Sequence, residues 1–164
     1  MGLRIGILTA SDRSSIGERI DETSPALIKE IEAARWQIIR VAVVPDDLVI
    51  IRETLKAWVD KKDLDLILTT GGTGFSPRDN TPEATLAIVD RLAPGLAEAM
   101  RYQSLQKTPH AMLSRGIAGI RGGVLIINLP GSPKGAIENF QVIQPILSHA
   151  IELLRNDPDS ENHH

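Results

Sequence analysis

Short, nearly continuous apolar runs alternate along this chain with segments whose apolar residues recur at helical spacing, a pattern of βαβ units. Leu3–Ala10 predicts a strand buried on both faces of a sheet, and a polar loop follows it. Thr23 or Ser24 then reads as the N-cap of a helix, with Pro25 just inside and Ala26, Leu27, Ile28, Ile31 and Ala34 on one stripe. Trp36–Val44, rich in β-branched residues, predicts a second strand; Asp46 reads as the cap of a helix carrying Leu48, Ile51, Leu55 and Val59. Leu64–Thr70 predicts the third strand. Pro82–Arg91 and Pro94–Gln106 each read as a helix opened by proline, before a break at Pro109. Ile117–Arg121 and Val124–Leu129 flank Gly122-Gly123 as a tight antiparallel hairpin, and Pro133–Arg155 predicts a last helix, bent near Pro145. The expected fold is a three-layer α/β/α sandwich around a mostly parallel mixed sheet. Residues 1–155 read as one domain and 156–164 as a polar, mobile tail.

At 164 residues the chain suits one domain with a sizeable core. A net charge of -3 gives no broad cationic surface, so nucleic acid is not an expected partner. Cysteine is absent, which excludes thiolate nucleophiles, thiolate metal sites and disulfides. The N-terminus enters a strand-like run without a basic leader and long apolar segment, and no run approaches the ~20 residues that cross a bilayer, so a cytoplasmic protein with no membrane partner is expected. His163 and His164 at the extreme end read as a tag remnant or disordered end, outside the chemistry.

The chemistry concentrates in Leu68–Glu83, where an apolar strand enters a glycine-rich loop. Gly71, Gly72 and Gly74 remove Cβ atoms that would hold backbone N–H groups away from a ligand, and they permit positive φ; Thr70 and Thr73 add hydroxyl donors. The loop ends at Thr81-Pro82-Glu83, which reads as N-cap, first helical position and acidic first turn, so a helix N-terminus adds partial positive charge. An anion site is the functional reading and a plain turn the structural one. No Gly-Lys-Ser/Thr follows, so this is not a Walker A loop, and Pro77 stands where a dinucleotide fingerprint needs its third glycine.

In an open α/β sheet, ligands sit at the carboxyl ends of the strands, and four polar loops are candidates: 9–21, 45–47, 71–80 and 128–134. Asp79 is either a loop carboxylate bonding its own backbone or a site residue; Asp46 is either an N-cap or a site residue. Two carboxylates on phosphate-binding loops would repel the ligand unless a divalent cation lay between them, and the oxygen-dominated donors suit Mg²⁺. Ser11-Asp12-Arg13 is either an intramolecular ion pair or part of the site, with Arg13 suited to bidentate phosphate binding. Arg78 is either a solvated cation or a phosphate ligand. Asn128-Leu129-Pro130-Gly131-Ser132-Pro133 gives a buried strand, a rigid turn and a helix entrance capped by Ser132.

Leu68–Gly74, Arg78–Thr85, Asn128–Lys134 and Thr9–Arg13, taken together over roughly residues 3 to 155, resemble the molybdopterin adenylyltransferase family of molybdenum-cofactor biosynthesis. The resemblance implies a molybdopterin-binding α/β fold, usually trimeric, that transfers AMP from ATP to the terminal phosphate of molybdopterin and releases pyrophosphate. It implies a molybdate-insertion protein or domain as user of the product. By position, Asp46 and Asp79 match the two carboxylates associated with catalysis, expected to hold Mg²⁺. Thr70, Gly71, Gly72, Thr73 and Gly74 match the phosphate-facing loop, beside Arg78, while Ser11, Asp12, Gly131, Ser132 and Lys134 match the shared pocket. The alternatives are a non-catalytic molybdopterin carrier or scaffold on the same fold, and a hydrolase of nucleotide-like substrates. The attacking phosphate monoester is largely ionised near neutrality, with a second pKa of about 6, so no strong general base is required.

Overall fold

The apolar runs at Arg4–Ala10, Leu66–Thr70 and Val124–Leu129 form β1, β3 and β6, almost wholly buried. Burial on both faces explains their unbroken hydrophobicity, because each is sandwiched between helical layers. In the computed structural model, which describes residues 2–156, one six-stranded sheet has the order β2-β1-β3-β6-β5-β4, where β2 is Gln37–Val44, β4 Arg91–Leu92 and β5 Ala118–Arg121. The pairs β1–β2, β1–β3 and β3–β6 are parallel, with Ile7 opposite Val41 and Leu68, and Leu68 opposite Ile127. β5 and β4 add antiparallel pairs, so the mixed sheet matches expectation and Gly122-Gly123 makes the hairpin turn. The polar tail and the two terminal histidines, residues 157–164, lie outside the described residues.

Besides a short turn of helix α1 (Asp12–Ser15), the helices are α2 (Thr23–Ala33), α3 (Leu48–Asp60), α4 (Thr81–Leu86), α5 (Pro94–Leu105) and α6 (Pro133–Leu154), the last continuous through Pro145. One sheet face packs Ile5, Ile7, Leu68 and Ile127 against Leu27, Ile31, Phe140, Ile143 and Leu147, with Trp36 edge-on to Phe140. The other packs Leu8, Ile67 and Ile126 against Ile51, Leu55, Trp58, Ala84 and Ile88. Each large apolar side chain so buried contributes about 1.5–3 kcal/mol relative to exposure, which is what holds the three layers together.

Several element boundaries differ from the expectation. Thr23 and Ser24 lie inside α2, and Asp21 caps it by accepting their N–H groups at 3.0 and 3.1 Å. Asp47, not Asp46, caps α3, accepting from Ile50 N at 3.0 Å. Thr81 is the first residue of α4 and Asn80 precedes it without a side-chain cap bond. The helix expected over 82–91 ends at Leu86, because residues 90–93 are drawn into the sheet: Asp90 N donates to Ile120 O at 2.7 Å and Ala93 N to Ala118 O at 2.8 Å. Tertiary strand pairing thereby overrides local helix propensity. Pro109–Leu113 forms a 3₁₀ turn, capped by Thr108.

The β4–β5 pairing depends on Gly119, where a Cβ would stand 2.7 and 2.9 Å from Val89 side-chain carbons and 3.1 Å from Arg91 O. Gly119→Ala is expected to lower stability by about 1–3 kcal/mol in urea unfolding. Gly95→Ala, where a Cβ meets nothing within 4 Å, is expected to be neutral or to stabilise by up to about 1 kcal/mol. Equal effects at the two positions would refute the close-packing argument.

Candidate functional site

Because β1, β2, β3 and β6 run parallel, the loops that follow them emerge at one edge of the sheet, and side chains lace them together. Asp12 N donates to Asp46 Oδ2 at 3.0 Å while Asp46 N donates to Asp12 Oδ1 at 3.0 Å, a reciprocal pair joining the β1 and β2 loops. Asn80 Nδ2 reaches Asp46 O at 3.3 Å and brings in the β3 loop. Below them Asp21 Oδ2 accepts from Ser24 Oγ at 2.5 Å and Thr9 Oγ1 at 3.0 Å, and Thr9 Oγ1 lies 3.1 Å from Thr70 Oγ1. Thr23 Oγ1 donates to Gly131 O at 2.7 Å and ties in the β6 loop. Ser11 caps α1 and Ser132 caps α6, accepting from Ser14 N and Gly135 N at 3.1 Å each.

Gly71 and Gly72 have φ of 84° and 66°, the left-handed conformation that glycine allows. A Cβ on Gly71 would stand 2.4 Å from Ala10 O; on Gly72 it would stand 2.4 Å from Thr81 Oγ1 and 3.2 Å from Asp46 Oδ1. The glycine loop separates two cavities. One, of about 270 Å³, is polar and lined by Ser11, Asp21, Asp46, Thr70, Asp79 and Gly131 among others. The second, of about 350 Å³, is more apolar, with Ala97, Met100 and Leu113 beside Arg101, Asn128 and Asn139. Ser132 borders both.

Asp46 Oδ1 and Thr81 Oγ1 are buried and have no hydrogen-bond partner among the described residues. Burial pushes the Asp46 carboxyl above its ordinary pKa; the Asp12 N–H bond opposes this, the Asp12 and Asp79 charges add to it, and Arg78 opposes it. Asp79 Oδ2 accepts from Ser76 N at 2.9 Å, so the loop-turn reading of Asp79 holds for one oxygen. Gly72 packs directly against both atoms and clears no room between them; the feature that suits a cation is the Asp46 carboxylate oxygen left without a donor. Among the described residues no group of three or more His, Cys, Asp or Glu side chains converges, so the chain offers at most a pair of carboxylates, Asp46 and Asp79. That is the usual protein share for Mg²⁺, whose other ligands are phosphate oxygens and water.

Of the residues singled out in the sequence, Ser11, Asp46, Thr70, Gly71, Gly72, Asp79, Gly131 and Ser132 line the polar cavity. Thr73 and Gly74 line the apolar one. Asp12 and Arg78 line neither cavity; Asp12 adjoins the polar one through its bonds with Asp46, and Arg78 Nε and Nη2 donate to its two oxygens at 3.0 and 2.8 Å, a fork that, led by the Arg78 hydrogen bonds, holds the Asp12 carboxyl below its ordinary pKa. The partner of Asp12 is thus Arg78 and not the adjacent Arg13. Lys134 is exposed on the first turn of α6 and lines neither cavity. Sequence reasoning missed Thr9 and Asp21, although Asp21 before Thr-Ser-Pro carries a capping signal. It missed Arg115 and Arg101, for which the chain offers no local signal.

Since its folded pKa is raised, ionised Asp46 costs stability, and that cost grows as pH rises from the unfolded carboxylate value of about 3.9 through the folded one. Asp46→Asn is therefore expected to match or exceed wild-type stability at pH 7, by at most about 1 kcal/mol because water screens a half-buried group. The gain should vanish in acid below that window. Urea titrations at several pH values measure it, and a marked loss at neutral pH would contradict the assignment.

The family described as "Probable molybdopterin binding domain" matches residues 6–149. Gephyrin of Dictyostelium discoideum is 46% identical over 166 residues, which is 95% of this chain and 23% of gephyrin, so the chain spans about a quarter of that relative's length. The molybdopterin adenylyltransferase of Escherichia coli (strain K12) is 44% identical over 144 residues, 87% of this chain and 74% of that protein. The crystal structure of the molybdopterin biosynthesis enzyme MoaB from Thermus thermophilus superposes with a TM-score of 0.89 at 50% identity, covering 95% of this chain and 98% of that one. With the family matched over most of its length and the three-layer fold shared, the chain belongs to the molybdopterin-binding domain family.

Proposed function

We propose that this protein acts in molybdenum-cofactor biosynthesis by transferring AMP from ATP to the terminal phosphate of molybdopterin. The observation that carries the reading is the buried, unpartnered Asp46 oxygen beside Asp79, under a glycine loop that separates two differently lined cavities. Two substrates meeting at their phosphates require such a divided site: one cavity for each organic portion and a shared polar centre between them. The relatives named molybdopterin adenylyltransferase support the same reading.

An oxygen of the terminal phosphate attacks the α-phosphorus of ATP; the bond to the bridging oxygen breaks, and pyrophosphate leaves with that electron pair. The nucleophile arrives ionised, so the chain's task is to position two polyanions and stabilise charge on the leaving group. The N–H groups of Gly72–Gly74 and the Arg78 guanidinium are suited to bind and orient the phosphates, since the Gly71 N–H is already donated to Leu129 O. Asp46 and Asp79 would hold Mg²⁺, which when bound supplies positive charge at the phosphates. The Asp12–Arg78 fork ties α1 to the glycine loop so that the two keep their spacing. The adenylylated product is then released to a molybdate-insertion protein.

The protein is proposed to work as a homotrimer in the cytoplasm. No helix among the described residues is long and apolar enough to cross a membrane. The trimer is the state the family resemblance implies, and an unsatisfied surface supports self-association: β2 is an edge strand whose Ile39, Val41 and Val43 are 38%, 42% and 36% exposed.

Purified protein with molybdopterin, ATP and Mg²⁺ is expected to release pyrophosphate, with none when any of the three is left out. Asp79→Ala should lower turnover by on the order of 10²–10³-fold while molybdopterin affinity stays within a few fold. Binding without turnover in the wild type would point to the carrier reading, and release without molybdopterin to a hydrolase. In sedimentation, wild type is expected as a trimer at micromolar concentration and Val41→Lys as a smaller species; a wild-type monomer would refute self-association.

A further inference from the structure

We propose that Arg115 is a positioning residue for this reaction, holding the distal half of the glycine loop so that the Asp79 carboxylate faces the bound phosphates. The inference rests on the adenylyl-transfer reading. Arg115 lies between the 3₁₀ turn and β5, far along the chain from the loop it holds. Its Nε donates to Gly74 O at 2.7 Å, its Nη2 to Asp79 O at 2.9 Å, and its Nη1 is ion-paired with Glu83 on α4. One guanidinium thereby spans the segment from Gly74 to Glu83, with Asp79 between. Its own backbone is clamped: Arg101 Nη1 donates to Ser114 O at 3.3 Å and to Gly116 O at 2.8 Å. The fork is presented from a fixed base.

The two halves of the loop are held by different means. Gly71 to Thr73 is pinned by main-chain bonds, Gly71 N to Leu129 O at 3.2 Å, Thr81 N to Gly72 O at 3.1 Å and Arg115 N to Thr73 O at 2.8 Å, which survive any change of the Arg115 side chain. The side-chain contacts of Arg115 all go to the other half. Asp79 keeps its local turn, Asp79 N to Ser76 O and Ser76 N to Asp79 Oδ2 at 2.9 Å each, but truncating Arg115 unties that turn from the 115 segment so that it shifts as a unit, while the proximal N–H groups stay in place; chemistry should suffer more than binding. Lysine has no planar fork and cannot reproduce three contacts in fixed directions.

Steady-state kinetics and direct ATP binding of Arg115→Ala and Arg115→Lys, with amide hydrogen exchange of both, test this. The expected result is a kcat lower by on the order of 10²-fold in either variant, ATP affinity within about threefold, and partial recovery of Arg115→Ala by millimolar guanidinium. Exchange should quicken at residues 74–80 and stay unchanged at 71–73. Wild-type kcat in either variant, or a parallel loss of kcat, ATP affinity and melting temperature without guanidinium rescue, would overturn the proposal. Should wild type release no pyrophosphate, the proposed function fails; the exchange pattern still judges Arg115, since unchanged protection at 74–80 would overturn its positioning role by itself.

Discussion

Where the main chain leaves β3 it crosses the end of β1 so closely that a Cβ on Gly71 would stand 2.4 Å from the Ala10 carbonyl oxygen, and a Cβ on Gly131 would stand 3.2 Å from Gly71 Cα. Three loops are thus compressed around one point at the carboxyl edge of the sheet. That compression brings Asp46, from the β2 loop, against Gly72, from the β3 loop, and it leaves no room for a side chain to cover the Asp46 oxygen. The parallel register of β1, β3 and β6 sets the crossing, since it delivers the strand ends Thr9, Thr70 and Leu129 side by side. The reciprocal Asp12–Asp46 bonds, the Thr9–Asp21–Ser24 cluster and the Arg115 fork all act on loops whose spacing this crossing has already defined.

The fold was legible because its signals are of the strongest kind. Leu3–Ala10 and Leu64–Thr70 are apolar on both faces, and Leu27 with Ile31, or Ile51 with Leu55 and Val59, repeat at helical spacing; such patterns follow from burial, which the final structure shares. Arg91–Leu92 was illegible because nothing local distinguishes it from the end of a helix, and only the distant partners Ile120 and Gly119 make it a strand. Cap positions were off by one at Asp46 and Thr81 for a related reason. In Pro-Asp-Asp either carboxylate can cap, and which one does so depends on where the Asp12 N–H lies. The glycine loop and its aspartates were readable from composition and spacing, while Arg115 was not, because an arginine in a polar loop carries no mark of a partner far away in the chain.

Those off-by-one corrections bear on function. Asp47 takes over the capping of α3, so Asp46 is not needed at the helix end, yet it is held half-buried with one oxygen unpaired. A buried polar group without a partner costs about 1–3 kcal/mol. Thr81 repeats the pattern on the same flank of Gly72, inside α4 and wholly buried. Local rules of polar satisfaction are broken twice within one small volume and obeyed around it, the distribution expected where a ligand completes the site.

Charge imposes a further condition on that ligand. The chain is acidic overall, at -3, and the polar cavity itself is lined by Asp21, Glu22, Asp46 and Asp79, so the two polyanionic substrates of the proposed reaction would enter against the local field unless positive charge is concentrated at the point of contact. The chain meets this with few cations: Arg19 lines the polar cavity, while Arg78 and Arg115 are held in fixed pairs. Arg78 commits two of its five N–H donors to Asp12, and Arg115 is spent on the loop carbonyls and Glu83. Such pairing keeps each guanidinium in a defined direction and leaves Arg78 three N–H groups for phosphate. The carboxylates, in turn, favour a bound cation. In the proposed reaction an acidic, divided site of this kind would bind phosphates through oriented N–H groups and a metal held by its carboxylates rather than through a basic surface, which reconciles the proposed anion binding with the composition of an acidic protein.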